Sequence, residues 1–217
     1  MINILLYVSM GFILLSFLGY FLLIMIGRNK SVSKNDGFDI TKDIISEYNS
    51  INVIESSGYF TIYNIKRRVI KLATKSYYGK DLSSVSLSLM EAGISVVDNN
   101  KNKYIDIFRN IFSNLKILYI FPLISLFISN SSFNINDARA SIIFIILFAF
   151  ISYILMDIKE QACYWIVDNL KKIKDITKDN RIKIVNFINK LIICDKFIFF
   201  GEFIMIIRLV LIMLEIK

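Results

Sequence analysis

Hydrophobic residues in this chain fall into long runs separated by polar blocks with a shorter period. The first run, MINILLYVSMGFILLSFLGYFLLIMIG (1–27), is nearly free of charge. As a helix it is long enough to cross a hydrocarbon layer of about 30 Å. Further runs lie at 117–129, 141–156 and 197–214. The second and third are short for full crossings, and the last is interrupted by Glu202 and Arg208. Between the first two runs the pattern changes. FDITKDIISEYNSI places Ile40, Ile44, Ile45 and Tyr48 at helical spacing. FTIYNI and RVIKL are rich in β-branched and aromatic residues and predict strands. Tyr77, Tyr78 and Gly79 close this region, and Asp81 is placed to cap a helix that runs on through SSVSLSLMEAGISVV. DNNKNK (98–103) ends that helix as a polar turn. The amphipathic stretch YIDIFRNIFSNLK leads into the second run, and another helical segment opens at Asp157.

This pattern predicts a mainly α, polytopic helical membrane protein with a small α+β block. Its segments are an N-terminal transmembrane anchor (1–27), the mixed block (28–115), a transmembrane helix pair (116–156), a second polar helical segment (157–196) and a C-terminal transmembrane or interfacial helix (197–217). The first run lacks a basic leading segment and a small-residue cleavage site, so it reads as a retained anchor rather than a signal peptide. Glu202 and Arg208, six residues apart, do not share a helix face well, which predicts snorkelling or contact with a neighbouring span.

Composition narrows the chemistry. The 217 residues are 55% hydrophobic and carry a formal charge of +8, a surplus that could suggest nucleic acid. Its placement argues for topology instead. Lys66, Arg67, Arg68 and Lys71 follow the first run, and Lys171, Lys172, Lys174 and Lys178 follow the third, whereas NSSFNINDAR between the second and third has only Arg139. Under the positive-inside rule, 28–115 and 157–196 are cytoplasmic and both termini lie outside. Anionic lipid headgroups are then the natural partners of the basic surplus, and no nucleic acid is expected. Cys163 and Cys194 are too few for a zinc knuckle, and on the cytoplasmic side they predict buried free thiols rather than a disulfide. The chain has no histidine, so a Ser-His or Cys-His dyad is excluded outright. Met90, Glu91, Glu160 and Cys163 are too mixed in softness to form a convincing metal site.

The block IYNIKRRVIKLATKSYYGKDLSSVSLSLMEAGISVV resembles the YugP-type neutral membrane zinc metallopeptidases, which carry a strand, a YYG turn and a helix with HEVGHAIQ. Laid on that pattern without gaps, the YYG falls on Tyr77, Tyr78 and Gly79. The two histidines fall on Met90 and Ile94, the glutamate on Glu91, the glycine on Gly93 and the glutamine on Val97. Upstream, GFDITKDIISEYNSINV is similar to the family's preceding helix. Downstream, MDIKEQAC is similar to its LPVEFNAS segment, which sets Lys159 at the third ligand, with Gln161 and Ala162 matching the residues after it. A slip of one residue would set Glu160 there instead. IIRLVL matches the family's LLRLLL and places Arg208 on its arginine.

The resemblance implies a zincin-like cytoplasmic block in which HExxH reads MEAGI and all three zinc ligands are replaced, leaving Glu91 as the vestige of the catalytic base. It also implies that Lys159 stands near the former ion, where its ammonium would pair with Glu91. Breaking such a buried pair costs about 3–5 kcal/mol. The expected function is that of a catalytically inactive member of the family in a bacterial plasma membrane. It would hold a membrane-protein client or a second copy without cutting it, and without the zinc expected for the family. Two rivals stay open: an active membrane peptidase with a rearranged metal site, and an unrelated membrane scaffold.

Overall fold

The computed structural model describes residues 2–48, 50–58, 61–64, 67–99 and 135–215. The fold is mainly α with one small sheet. Helix α1 covers Ile2–Arg28 and α2 covers Gly37–Ile44. Strands β1 (Asn52–Ser56), β2 (Ile62–Asn64) and β3 (Val69–Ala73) follow, then α3 (Thr74–Tyr78) and α4 (Leu82–Asn99). Helix α5 spans Ile135–Asn169, a 3-10 turn spans Leu170–Lys172, and α6 spans Lys178–Glu215.

The helix expected from FDITKDIISEYNSI stops at Ile44, and the chain turns there to enter a strand that the pattern did not announce. β1 alternates weakly because it is an edge strand with its residues half-buried or exposed. It pairs in parallel with β3, Asn52 opposite Val69, while β2 pairs antiparallel on the other side, Tyr63 opposite Ile70. Arg68 turns into β3 with φ of 50°, and its carbonyl accepts the Asn52 N–H at 3.0 Å. The two long helices also differ from expectation. α5 continues unbroken across the 156–157 boundary and α6 across the 196–197 boundary, because neither junction holds a proline or glycine to stop a helix. The stretch 104–116 and the run 117–129 lie outside the described residues, as do 100–103 of the polar turn. Asp98 and Asn99 still belong to α4.

The chain forms two compact units. One comprises Phe21–Leu115 and Asp157–Ile192. Its centre is α4, where Val85, Leu89, Ala92 and Val96 have no exposed surface, packed by α2, α3 and the sheet. Buried serines let these elements approach closely: Ser88 donates to the Ser76 carbonyl at 3.4 Å and Ser84 to the Lys75 carbonyl at 3.1 Å.

The other unit comprises Met1–Tyr20, Lys116–Met156 and Ile193–Lys217. Its core is Leu6, Ile13, Ile145, Met205 and Leu209. On α1 a narrow seam of Leu6, Ser9, Ile13 and Ser16 is buried, while Tyr7, Leu14, Leu15 and Leu18 face outward. Gly201 of α6 meets that seam closely, since a Cβ there would lie 2.7 Å from Ile13 Cγ1 and 3.1 Å from the Ser9 carbonyl oxygen. Ser16 donates to the Cys194 carbonyl at 2.6 Å. Among its described residues Ile143, Phe150, Phe200 and Phe203 are exposed, while Ser9, Ser16, Glu202 and Arg208 are buried. Glu202 is 0% and Arg208 7% exposed. The buried face of α6, which includes Gly201, Glu202, Met205, Arg208 and Leu209, holds both side chains, so of the two expectations contact with neighbouring helices is the one met. Among the described residues, the helix Asn3–Arg28 is long and apolar enough to cross a membrane.

Candidate functional site

Helix α4 is fixed at its start by Asp81. The Asp81 carboxylate accepts the Ser84 N–H at 3.0 Å, the Ser83 hydroxyl at 2.6 Å and the Ser84 hydroxyl at 2.7 Å. It therefore satisfies a backbone donor that the helix itself leaves open. The preceding chain is held by short bonds to the segment after α1, Leu82 N–H to the Lys30 carbonyl at 2.7 Å and Val32 N–H to the Lys80 carbonyl at 3.0 Å. Gly79 ends α3, and Tyr77 stacks on Phe38 with ring centroids 4.6 Å apart. The Tyr78 hydroxyl donates to Glu55 at 3.1 Å on the exposed surface, and that bond to a carboxylate holds the phenol above its ordinary pKa.

Along α4, Met90 and Ile94 are both buried, 4% and 8% exposed. Glu91 between them is half-buried, and its Oε2 accepts the backbone N–H of Tyr63 at 2.7 Å. Tyr63 is in the middle of β2, at the edge of the sheet, and its partner across the ladder is Ile70. The N–H that reaches Glu91 points away from β3, so the carboxylate closes an outer edge of the sheet that would otherwise present a free donor.

Two residues on, Gly93 brings α4 against α5. A Cβ at Gly93 would stand 2.9 Å from the Ala162 carbonyl oxygen and 3.1 Å from both Ala162 Cβ and Ile166 Cδ1. Lys159 lies one turn before Ala162 on α5 and is half-buried, as is Glu160. The fold thus gathers Met90, Glu91 and Ile94 on one helix and packs that helix on the stretch of α5 that follows Lys159. Gln161 donates to Asp157 at 2.7 Å. Cys163 is buried and free, and its thiol donates to Asn189 of α6 at 3.3 Å. Burial, with the neighbouring charge of Glu160, pushes that thiol above its ordinary pKa. Cys194 is likewise buried and is not in a disulfide.

The donor set does not suit zinc. Met90 offers only a thioether, Ile94 nothing and Lys159 an ammonium, while Glu91 already serves a backbone donor. Among the described residues no group of three histidine, cysteine, aspartate or glutamate side chains could hold a metal ion. Tyr63 is the partner of Glu91 that sequence reasoning missed. Its contribution is a backbone N–H, which every non-proline residue carries, so no side-chain signal could have found it. No protein-family model, curated protein or solved structure matches the chain.

Proposed function

We propose that this chain is a multi-pass membrane protein of zinc-metallopeptidase descent, related to the YugP type, that no longer cuts and instead binds or regulates membrane-protein partners from the cytoplasmic side of a bacterial plasma membrane. The observation that carries this reading is the bond from the Tyr63 N–H to Glu91 Oε2 at 2.7 Å, flanked on α4 by the buried side chains of Met90 and Ile94. Apolar volume stands where the resemblance expects two imidazoles, and the carboxylate beside them has a structural task. In this reading Lys159 pairs with Glu91 and supplies the positive charge that an ion would have given.

The membrane part of the proposal draws on the unit with its polar groups inside. Ser9, Ser16, Glu202 and Arg208 are buried there, while Leu14, Leu15, Leu18, Phe200 and Phe203 are exposed. That distribution suits a lipid environment, in which ionisable side chains turn to the bundle interior. Helices α5 and α6 then cross together with α1.

Zinc loading of the detergent-purified chain, followed by dialysis and elemental analysis, tests the loss of the metal. Zinc well below stoichiometry is expected, and stoichiometric zinc lost in Glu91→Ala would overturn the reading in favour of a rearranged active peptidase. A second reading, an unrelated membrane scaffold, is favoured by the same bond, because a carboxylate that closes a sheet edge needs no catalytic ancestry. The variant M90H/I94H/K159E separates the two. Stoichiometric zinc in that variant supports descent from a zinc site, and none supports the scaffold.

A further inference from the structure

At the end of α1 the surface changes from apolar to basic within a few residues. Phe21, Leu22, Met25 and Ile26 are exposed, and Arg28 and Lys30 follow at once, also exposed. Gly27 fixes this point, because a Cβ there would lie 2.8 Å from Phe187 Cε2 and 2.9 Å from Ser83 Cβ. The helix end is therefore held against α4 and α6.

Two further cations arrive from distant sequence. Lys80 is joined to this segment by its carbonyl, which accepts the Val32 N–H, and through Leu82, whose N–H donates to the Lys30 carbonyl. Lys183 arrives through Asn180, whose side-chain amide donates to the Val32 carbonyl at 2.8 Å and whose Oδ1 accepts from the Lys183 ammonium at 3.2 Å. All four basic side chains are exposed, and among the described residues none is held in an ion pair. Asp81, next to Lys80, has its carboxylate engaged by Ser83 and Ser84, and Asp175 takes a hydrogen bond from Asn35.

We propose that Arg28, Lys30, Lys80 and Lys183 form a binding surface for the headgroup of an anionic phospholipid. The phosphodiester sits at the end of α1, and the acyl chains run back along Phe21, Leu22, Met25 and Ile26. An apolar strip on one helix that ends directly in exposed cations fits an amphiphile and leaves a small free anion without a partner for half of the surface. This inference rests on the membrane reading above.

The test uses the full chain in nanodiscs of equal phosphatidylglycerol and phosphatidylcholine, with the retained lipids counted by native mass spectrometry. Preferential retention of phosphatidylglycerol is expected, falling about fivefold for each cation removed. R28Q/K30Q/K80Q/K183Q should lose the preference, while K75Q/K171Q/K174Q/K178Q, equal in charge, should keep it. The single variants K30Q and K80Q keep the test decisive if the quadruple variant misfolds. Equal retention by the two quadruple variants would overturn the proposal, as would full displacement of phosphatidylglycerol by millimolar inorganic phosphate. A chain that enters the nanodisc without lipid preference sinks this inference alone. One that stays outside sinks the membrane reading with it.

Discussion

Glu91 has a backbone N–H to satisfy. Replacing it by alanine leaves the Tyr63 donor without its acceptor beside a residue only 4% exposed, which costs about 1–3 kcal/mol. Glu91→Gln keeps a carbonyl acceptor at the same reach, so the hydrogen bond alone predicts a loss under about 1 kcal/mol, and a larger loss measures the pairing with Lys159. Thermal unfolding of the two variants in detergent checks this, and equal losses would show that charge rather than the hydrogen bond matters. At Cys163 the folded thiol pKa is raised, first by burial and then by the charge of Glu160. A raised acid pKa stabilises the protonated, folded form. That contribution is complete below the unfolded thiol value of about 8.5 and is lost as pH rises through the higher folded value. In a Cys194→Ala background, alkylation of Cys163 by iodoacetamide should therefore begin at a more alkaline pH in the folded chain than in denaturant. Coincident pH profiles would contradict the burial argument.

Packing at the level of elements turns on small residues. Gly93→Ala improves helix propensity by about 1 kcal/mol, yet its Cβ would stand 2.9 Å from a backbone oxygen of α5. The helices must separate, and a net loss of about 1–3 kcal/mol is expected. Gly11 provides the contrast, since nothing lies within 4 Å of a Cβ there and it sits inside α1. Gly11→Ala should gain about 0.5–1 kcal/mol. Opposite shifts in melting temperature for the two variants check the assignment, and a gain for Gly93→Ala would mean that α4 and α5 do not meet closely there. The elements themselves were unequally legible. Asp81 was readable as a cap because its chemistry is local, and β2, β3 and α4 followed from their periods. β1 was not readable, since an edge strand with both faces part-exposed lacks the alternation that marks burial.

For the whole molecule, the proposed topology gives a directional expectation. In the multi-pass reading, trypsin should cut within 28–115 and 157–196 in inverted vesicles and leave both regions intact in right-side-out ones. Cleavage of these regions from the outer face would reverse the topology, and cleavage from both faces would remove it. For Glu202 and Arg208 the sequence left two outcomes open, snorkelling or contact with a neighbouring span. Their burial on the packed face of α6 decides for contact with neighbouring helices, a property of several helices together.

Local periodicity and composition settled a great deal here. The apolar length of α1, the helical and strand periods of the mixed block, the cap at Asp81 and the lack of any histidine all follow from neighbours in sequence. What no local pattern could supply is the assignment of a polar group to a partner far along the chain. Glu91 meets Tyr63, Gly93 meets Ala162, and Lys80 and Lys183 join Lys30 only after the chain has folded. Those pairings depend on which backbone donors and close approaches the packed elements leave to be satisfied. They are properties of the tertiary arrangement, because a carboxylate or a glycine in sequence carries no record of what it will face.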